Sequence, residues 1–389
     1  MKKLRIGLYA DKFKMGTWGG IDVFFERMLK ALALYAPEHH YMIIAQADNA
    51  PQLREVFTPL GMEIYETNQQ DLLSKGQRFI RRQLPFMEAG LKAQIHGLHL
   101  DLIHFPRQFV HVQDLKIPVV LTLFDIQHEY YPQFFSPQHV LDRQKRYGNA
   151  IQQATQIHAS TDYTIQTLQE KYPQEAKKAI RIYPAALDES ALADAAFCTQ
   201  IRQKYALPET YLYYPANPWP HKNHERLFQA LGQLRQRDKL HLPLVLTGRL
   251  QNEAADPVLE WAKAAGIEDQ LIELGFLAAD EQRAIFQMAH LVVFPSLFEG
   301  FGFPLLEAQH LQRPLLASTA TCNPEIAGEG ALYVDPFDTE EMANGIQRLY
   351  SDEALRQDLV QKGLQNLQRF SWQKFAETTS QAYVGLVKA

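Results

Sequence analysis

The sequence is poor in cysteine and has no long apolar run. Of its 389 residues only Cys198 and Cys322 are cysteines, which indicates no disulfide framework and fits a reducing compartment. No stretch approaches the roughly 18 consecutive apolar residues of a membrane-spanning helix, and the apolar run between Arg5 and Asp11 is too short for a signal-peptide core. We therefore expect a cytoplasmic protein.

An excess of charge of either sign is also missing. The chain has 39 Lys and Arg residues against 44 Asp and Glu residues, a formal net charge of −5, which gives no support for general nucleic-acid binding. No group of histidine, cysteine and acidic residues has the spacing of metal ligands. The sequence thus predicts a protein without a bound metal or cofactor.

What the sequence does contain is a repeated alternation of apolar strands and amphipathic helices. The predicted strands of the first half lie at 4–10, 41–45, 62–65, 101–105, 118–123, 156–159 and 180–183, and those of the second half at 211–215, 244–248, 271–275, 291–294, 314–317 and 331–334. This order is typical of the α/β class with doubly wound parallel sheets. We predict two Rossmann-like domains facing across a cleft, residues 1–185 and 209–369, with a linker at 186–208 and a final helix at 370–389 that crosses back toward the first domain.

The stretch 291–307 has the most informative pattern. A short apolar strand at 291–294 leads into a loop with Gly300 and Gly302, and a helix follows. Glycine allows a ligand to approach the backbone, and the N–H groups of a helix start bind anions. Glu299 in the loop and Glu307 in the helix can each accept hydrogen bonds from vicinal hydroxyls. The pattern favours a sugar nucleotide over two surface acids, and over the facing carboxylates of a glycoside hydrolase.

Two other strand ends in the second half carry basic residues. Lys222 ends a proline-rich loop that leads into a helix, a position that suits a point charge on a diphosphate. Arg249 follows Gly248 at the end of the next strand. The pattern there leaves two alternatives open, namely phosphate binding and a surface ion pair.

The first half contains weaker signals. Gly19 and Gly20 precede a helix and either bring N–H groups to the ligand or form a plain turn. Asp125 and His128 follow a strand end, where they are candidates for the acceptor side of a reaction. The alternatives, a helix cap for Asp125 and a structural loop histidine for His128, carry equal weight.

The segment 71–96 interleaves basic with apolar side chains. Peripheral contact with the inner face of the plasma membrane is one interpretation. An ordinary amphipathic helix with a solvated basic face is the favoured one.

The block 294–308, FPSLFEGFGFPLLEA, resembles the E-x7-E signature of retaining glycosyltransferases of family 4, which have the GT-B fold. Similar short blocks occur at 19–21, 125–128, 215–224, 246–248, 274–276, 314–318 and 323–328. The resemblance therefore covers nearly the whole chain and is most specific in the second half.

The resemblance implies roles for particular residues. Glu299 would contact the hydroxyls of the donor sugar, Glu307 the ribose, and Lys222 the diphosphate, while Asp125 and His128 would act on the acceptor side. The remaining predicted donor-binding residues are Gly19, Gly20, Asn217, Arg249, Gly275, Phe276, Gly300, Phe301, Gly302, Phe303, Pro304 and Leu305.

The chain departs from the family pattern at two positions. Asn217 stands where members commonly carry arginine, so that either Arg249 compensates or the phosphate is held more weakly. Phe124 stands where many members have a histidine directly before the aspartate, and His128 is the substitute available nearby.

The function implied is metal-independent transfer of a hexosyl group, with mannose one possibility, from a GDP- or UDP-sugar. The acceptor would be a glycan or a lipid-linked glycan in bacterial polysaccharide or lipopolysaccharide assembly, and the anomeric configuration would be retained. Two alternatives remain, a sugar-nucleotide epimerase of the same fold and a catalytically silent partner subunit that binds a nucleotide sugar.

Overall fold

The computed structural model describes residues 3–10, 13, 20–67, 85–186, 192–248 and 257–388. The chain divides into two compact units. The first comprises Met1–Ala185 together with Ser371–Ala389, and the second comprises Ala186–Phe370.

The first unit is built on a seven-stranded parallel sheet in the order β3-β2-β1-β4-β5-β6-β7. The strands are β1 (Arg5–Tyr9), β2 (His40–Ala45), β3 (Glu63–Glu66), β4 (Leu102–Phe105), β5 (Val119–Leu123), β6 (Gln156–Ala159) and β7 (Ala179–Arg181). In the register of the central pairs, Ile6 lies opposite Tyr41 on one side and opposite Leu102 on the other. Every residue of β4 and β5 is buried, which explains their nearly continuous apolar sequence.

The second unit repeats this plan with a six-stranded parallel sheet in the order β10-β9-β8-β11-β12-β13. Its strands are β8 (Leu212–Pro215), β9 (Leu244–Thr247), β10 (Leu271–Glu273), β11 (Leu291–Phe294), β12 (Leu315–Ser318) and β13 (Leu332–Val334). The predicted class, two doubly wound parallel sheets with a Rossmann-like order, is confirmed.

Helices connect the strands in both units. Those of the first unit are α1 (Gly20–Tyr35), α2 (Ala50–Phe57), α3 (Pro85–Gly97), α4 (Gln127–Tyr130), α5 (Pro137–Gln153), α6 (Asp162–Lys171) and, at the end of the chain, α15 (Trp372–Lys388). Those of the second are α7 (Ala195–Lys204), α8 (His224–Asp238), α9 (Pro257–Ala265), α10 (Ala279–Met288), α11 (Phe303–His310), α12 (Asn323–Ala327), α13 (Thr339–Ser351) and α14 (Glu353–Leu367).

The described helix α3 begins at Pro85. Proline is accepted in a first helical turn because the N–H that it lacks has no partner there. The rest of the basic segment, 71–84, lies outside the described residues.

The C-terminal helix α15 is attached to the first unit through buried polar contacts. The hydroxyl of Tyr383 hydrogen-bonds to Nδ1 of His104 at 2.5 Å, and Nε2 of His104 bonds Oγ1 of Thr122 at 2.7 Å. Burial, with a smaller contribution from the neighbouring His158, holds the pKa of His104 well below its ordinary value. The ring is therefore neutral, with one donor and one acceptor nitrogen that are both satisfied.

We expect Tyr383→Phe to lower the free energy of unfolding by about 1–3 kcal/mol, because a buried imidazole nitrogen loses its partner. Urea unfolding would measure the change. Tyr35→Phe is the matched control, since Tyr35 is 40% exposed. Equal stabilities of the two variants would show that the His104 contact does not hold the helix.

Candidate active site

The reversal of strand order in the second sheet brings two loops together. β8 and β11 are hydrogen-bonded neighbours, yet their chains leave toward opposite sides of the sheet because β9 and β12 flank them. Ligands of such sheets bind beyond the carboxyl ends of the strands at this switch point. The loop after β8 carries Lys222, and the loop after β11 carries Glu299.

Lys222 and Glu299 form an ion pair at this position. The Lys222 ammonium donates to Oε1 of Glu299 at 2.6 Å, and the side chains are only 17% and 11% exposed. The ammonium also lies 5.3 Å from the ring centroid of Phe294, the last residue of β11, where the ring face attracts a cation. Two residues predicted for separate parts of the ligand thus contact one another directly.

The turn that carries Lys222 is fixed by its backbone. The Tyr214 hydroxyl donates to the Lys222 carbonyl at 2.6 Å, and the Leu297 N–H donates to the His221 carbonyl at 2.7 Å. The β8 loop is therefore bonded to both its own strand and the β11 loop. This arrangement holds the lysine in place at little entropic cost on ligand binding.

Asn223, the residue after the lysine, joins three segments. Its backbone is left-handed, with φ 63°, a conformation that asparagine adopts more readily than most residues. Its amide nitrogen donates to the carbonyls of Pro295 at 3.1 Å and Pro336 at 2.7 Å. The sequence interpretation did not assign this residue, although an asparagine directly before a helix is a recognisable capping signal.

The loop of Glu299 is held by the segment after β12. The Glu299 N–H donates to Oγ1 of Thr321 at 3.1 Å, and the thiol of Cys322 lies 3.3 Å from the Glu299 carbonyl. Burial, together with nearby acids, raises the pKa of the Cys322 thiol well above its ordinary value, so the thiol stays protonated and can donate. Thr321 and Cys322 are positioning residues that the sequence interpretation missed.

Of the two glycines in this loop, Gly302 has a positive φ, at 79°. An added Cβ there would lie 2.9 Å from Cδ1 of Leu305, which leaves no room for a side chain. Gly300 is not among the described glycines with positive φ. The turn into α11 needs a left-handed residue only directly before the helix, and this residue is Gly302. Pro304 lies in the first turn of α11.

Glu307 lies farther along α11, half-buried near Tyr213 of β8. Burial is the main cause of the raised pKa of Tyr213, and the Glu307 charge adds to it. The Tyr213 hydroxyl is bonded to Oγ1 of Thr247 at 2.7 Å, at the end of β9.

The loops after β9 and β10 complete this edge of the sheet. Gly248 has φ 117°, and its N–H donates to the Gly275 carbonyl at 2.9 Å. An added Cβ at Gly248 would lie 2.6 Å from Oδ1 of Asn217, so the Asn217 side chain occupies the space beside the glycine. Phe276 is 52% exposed, and Arg249 lies outside the described residues.

The candidates of the first unit have different environments. Oδ1 of Asp125 accepts a hydrogen bond from the Gln127 N–H at 3.0 Å, one position before Ile126, which is the N-cap residue of α4. Gly20 is the first residue of α1, and Gly19 lies outside the described residues. Phe124 is buried with its ring edge-on to Phe24, the centroids 4.9 Å apart.

His128 is fully buried rather than presented to a ligand. Its side chain is 0% exposed, and its ring lies 4.7 Å from the ring of Tyr147. Burial is the main cause that lowers the pKa of His128 to about 4. Neither ring nitrogen has a hydrogen-bond partner among the described residues, so the alternative of a satisfied loop histidine does not describe it either.

Within the same described part of the chain, no three histidine, cysteine or acidic side chains are grouped so that they could hold a metal ion.

Residues 199–366 match the family model of glycosyl transferases group 1. The chain is 30% identical over 242 residues to the serotype-specific mannosyltransferase WbdA of Escherichia coli, an alignment that covers 61% of this chain and 30% of WbdA. It is 27% identical over 312 residues to the O-antigen chain mannosyltransferase B of Escherichia coli, covering 78% of this chain and 81% of that protein. The chain thus spans about a third of the WbdA proteins that it matches.

Solved structures agree on the fold. A sucrose-phosphate synthase from Thermosynechococcus elongatus superposes with a TM-score of 0.77 at 19% identity, covering 99% of both chains. WaaG, a glycosyltransferase involved in lipopolysaccharide biosynthesis, superposes with a TM-score of 0.71 at 16% identity, covering 98% of this chain and 100% of that one.

The fold is the GT-B fold. The second unit of the chain resembles the glycosyl transferases group 1.

We expect Asn223→Ala to lower the free energy of unfolding by roughly 2–4 kcal/mol, because two carbonyls lose their donor and a left-handed residue loses its asparagine. Chemical denaturation would measure the change. Asn344→Ala, at an exposed helical position, is the control and should stay within about 0.5 kcal/mol of the parent. A small effect at Asn223 would mean that the loops hold each other by other contacts.

Proposed function

We propose that the protein transfers a hexosyl group from a nucleotide sugar to a glycan or lipid-linked acceptor, with retention of configuration and without a metal ion. The observation that carries the proposal is the Lys222–Glu299 pair at the switch point of a group 1 glycosyltransferase sheet. The names of the two mannosyltransferase relatives favour mannose as the transferred sugar, and the donor would be a GDP- or UDP-sugar.

The pair supplies two opposite charges that suit the two halves of a nucleotide sugar. A diphosphate gives the Lys222 ammonium a stronger acceptor than one carboxylate. The Glu299 carboxylate, once released, can accept hydrogen bonds from two vicinal hydroxyls of the sugar. Binding of the donor would thus exchange one charge-assisted bond between side chains for several to the ligand.

The same charges act on the reaction. Negative charge grows on the departing diphosphate as the glycosidic bond breaks, and Lys222 is already placed by its backbone contacts to stabilise that charge. The N–H groups at the start of α11 lie after Gly302 and favour negative charge for the same reason. Glu299 would hold the positively charged sugar ring in the same step.

The other residues of this edge of the sheet fit the nucleoside. The exposed ring of Phe276 offers a face for a nucleobase, and Glu307 would accept hydrogen bonds from the ribose. Asn217 would bind the phosphates in place of the family's arginine. Arg249 is proposed to bind the phosphates as well.

The acceptor is assigned by class alone. The printed names of two similar proteins mention the O-antigen chain and lipopolysaccharide biosynthesis, which supports a bacterial polysaccharide acceptor. Asp125 is the residue proposed to act on the acceptor. Among the described residues no helix is both long and apolar enough to cross a membrane. The proposal includes peripheral contact of residues 71–96 with the inner face of the plasma membrane.

We expect Glu299→Ala to reduce the transfer rate by about 10²–10³, the typical cost of removing one preorganised charged contact in a transition state. The melting temperature should also fall, because the largely buried Lys222 ammonium loses its carboxylate partner, so the rates are compared at a temperature at which circular dichroism shows the variant to be folded. The transfer rate would be measured as the acceptor-dependent release of the nucleotide. Glu329→Ala, an exposed acid of the same unit, should retain full activity.

Near-parent turnover of Glu299→Ala would contradict the donor-site assignment. The reaction would also be monitored by NMR with the donor alone. Formation of a new nucleotide sugar without any acceptor would identify an epimerase. An inverted product anomer in the same spectra would contradict retention.

A screen of UDP- and GDP-sugars by thermal shift should single out the donor. Ligand at about 100 times its Kd adds roughly 2.7 kcal/mol to the stability of the folded state, and the shift should persist in EDTA. Lys222→Gln should lose most of it, while Lys239→Gln, at an exposed position, should keep it. An equal shift in both variants would remove Lys222 from the diphosphate site.

A further inference from the structure

A second concave region lies at the opposite edge of the same sheet. A groove of about 410 Å³ is lined by residues that precede β11 and β12 and by the first turns of α14. The candidate active site lies beyond the carboxyl ends of these parallel strands, whereas this groove lies at their amino-terminal ends. The proposed transfer reaction does not use it.

Two guanidinium groups line this groove without a carboxylate partner. Arg313, just before β12, donates to the carbonyls of Leu311 at 3.0 Å and Ala289 at 3.4 Å. Arg356 on α14 donates through Nη1 to two carbonyls in the last turn of α13, at 2.8 and 2.7 Å. Among the described residues neither arginine forms an ion pair with an acid. Each guanidinium has five donors, so both have donors left over.

His290 shows that the two charges lie close together. Its ring packs against the ring of Tyr350 at 5.3 Å and is bonded to the main chain of the same residue. Burial is the main cause that lowers the pKa of His290, and the positive charges of Arg356 and Arg313 lower it further. Nε2 of His290 is buried without a hydrogen-bond partner among the described residues. The groove thus concentrates positive charge around one imidazole.

The acids of the groove lie at its exposed rim. Glu209 and Glu353 are both exposed, and Oε1 of Glu353 accepts a hydrogen bond from the Gln357 amide at 3.0 Å. Further amide donors come from Gln312 and Gln361. The half-buried cations lie deeper than the acids, so a ligand that enters meets positive charge and amide groups.

A purely structural role explains part of this arrangement. Arg356 satisfies carbonyls at the end of α13, as basic residues near helix C-termini often do. That role does not require a second guanidinium in the same groove. Burial also lowers the pKa of Arg313, so this charge is partly desolvated with carbonyl partners alone, an arrangement that an anion would stabilise.

We propose that this groove binds a phosphorylated ligand, whose phosphate group is held by Arg313 and Arg356. The planar forks of two arginines match the oxygens of a phosphate. The volume is within the range of small-molecule sites and exceeds what a phosphate alone fills, which leaves room for an attached sugar or glycerol group. A soluble sugar phosphate and a lipid headgroup present the same chemistry.

Isothermal titration with inorganic phosphate tests the proposal in the full chain carrying Lys222→Gln, so that the active-site lysine does not contribute. We expect saturable binding at one site. Adding Arg356→Gln should weaken it at least about tenfold, since a hydrogen bond to a charged group is lost. Adding Arg348→Gln instead, which removes the same charge from an exposed position of α13, should leave it unchanged.

Absence of phosphate binding in the Lys222→Gln protein, or equal binding with and without Arg356→Gln, would overturn the proposal. Should Arg356→Gln fail to fold by circular dichroism, Arg313→Gln provides the second test with the same expected loss. In the chain with Lys222 intact, Arg356→Gln should retain glycosyl transfer, which separates this groove from the active site.

Two further titrations identify the source of the phosphate. Binding of mannose 1-phosphate tighter than that of inorganic phosphate, and sensitive to Arg356→Gln, assigns a soluble sugar phosphate. Binding to phosphatidylglycerol vesicles but not to phosphatidylcholine vesicles, with the same sensitivity, assigns a lipid headgroup.

Discussion

The arrangement of the second unit depends on the reversal of strand order between β8 and β11. Neighbouring parallel strands normally send their connections to the same side, and their loops then cover the sheet edge. At the reversal the two loops separate, and backbone, side chains and helix starts face the space between them. A lysine after one strand and a glutamate after the other can then meet at 2.6 Å although they are 77 positions apart.

The surrounding hydrogen bonds serve to keep these loops in one conformation. Asn223 joins the loops after β8, β11 and β13 through two carbonyls, and Ser318 of β12 donates to the Ser296 carbonyl at 2.6 Å. Asn323 then donates to the oxygen of Ser318 at 2.8 Å. The bonds of Asn223 and the bond from Ser318 to Ser296 run from a side chain to the backbone of another strand end, so each loop is fixed by the next one along the sheet, whereas the bond from Asn323 holds the Ser318 side chain. A site held in this way needs little reorganisation when charge develops on a ligand.

The sequence predicted the parallel sheets and most strand positions because buried strands of such folds are short apolar runs with clear helical segments between them. It also singled out Lys222, Glu299 and Gly302 as candidate site residues, because their residue types report directly on charge and backbone conformation. It did not predict that Lys222 and Glu299 contact each other, because contact depends on strand order, and the pattern of apolar residues does not encode strand order. The roles of Thr321 and Cys322 were missed for the same reason, since they act from the loop after a neighbouring strand.

His128 illustrates a different limit. A polar residue just after a strand end suggests an exposed functional group, yet its ring is covered by Tyr147 and its neighbours. The burial of such a side chain is decided by the path of the following helix, here the short α4 and then α5, which local sequence does not determine. Asp125, three residues earlier, is partly exposed and accepts a backbone hydrogen bond. Of the two, only the carboxylate retains the accessibility that a group on the acceptor side requires.

The electrostatics of the Lys222–Glu299 pair also bear on which ligands can bind. Both side chains are largely buried, and removing one partner from such a pair leaves an uncompensated charge, which costs several kcal/mol. A ligand that offered phosphate alone would satisfy the lysine and leave the carboxylate without its cation. A ligand that offered only hydroxyls would do the reverse. The pair therefore favours a molecule that carries both groups at the right separation, a requirement that the proposed nucleotide sugar meets and a free sugar does not.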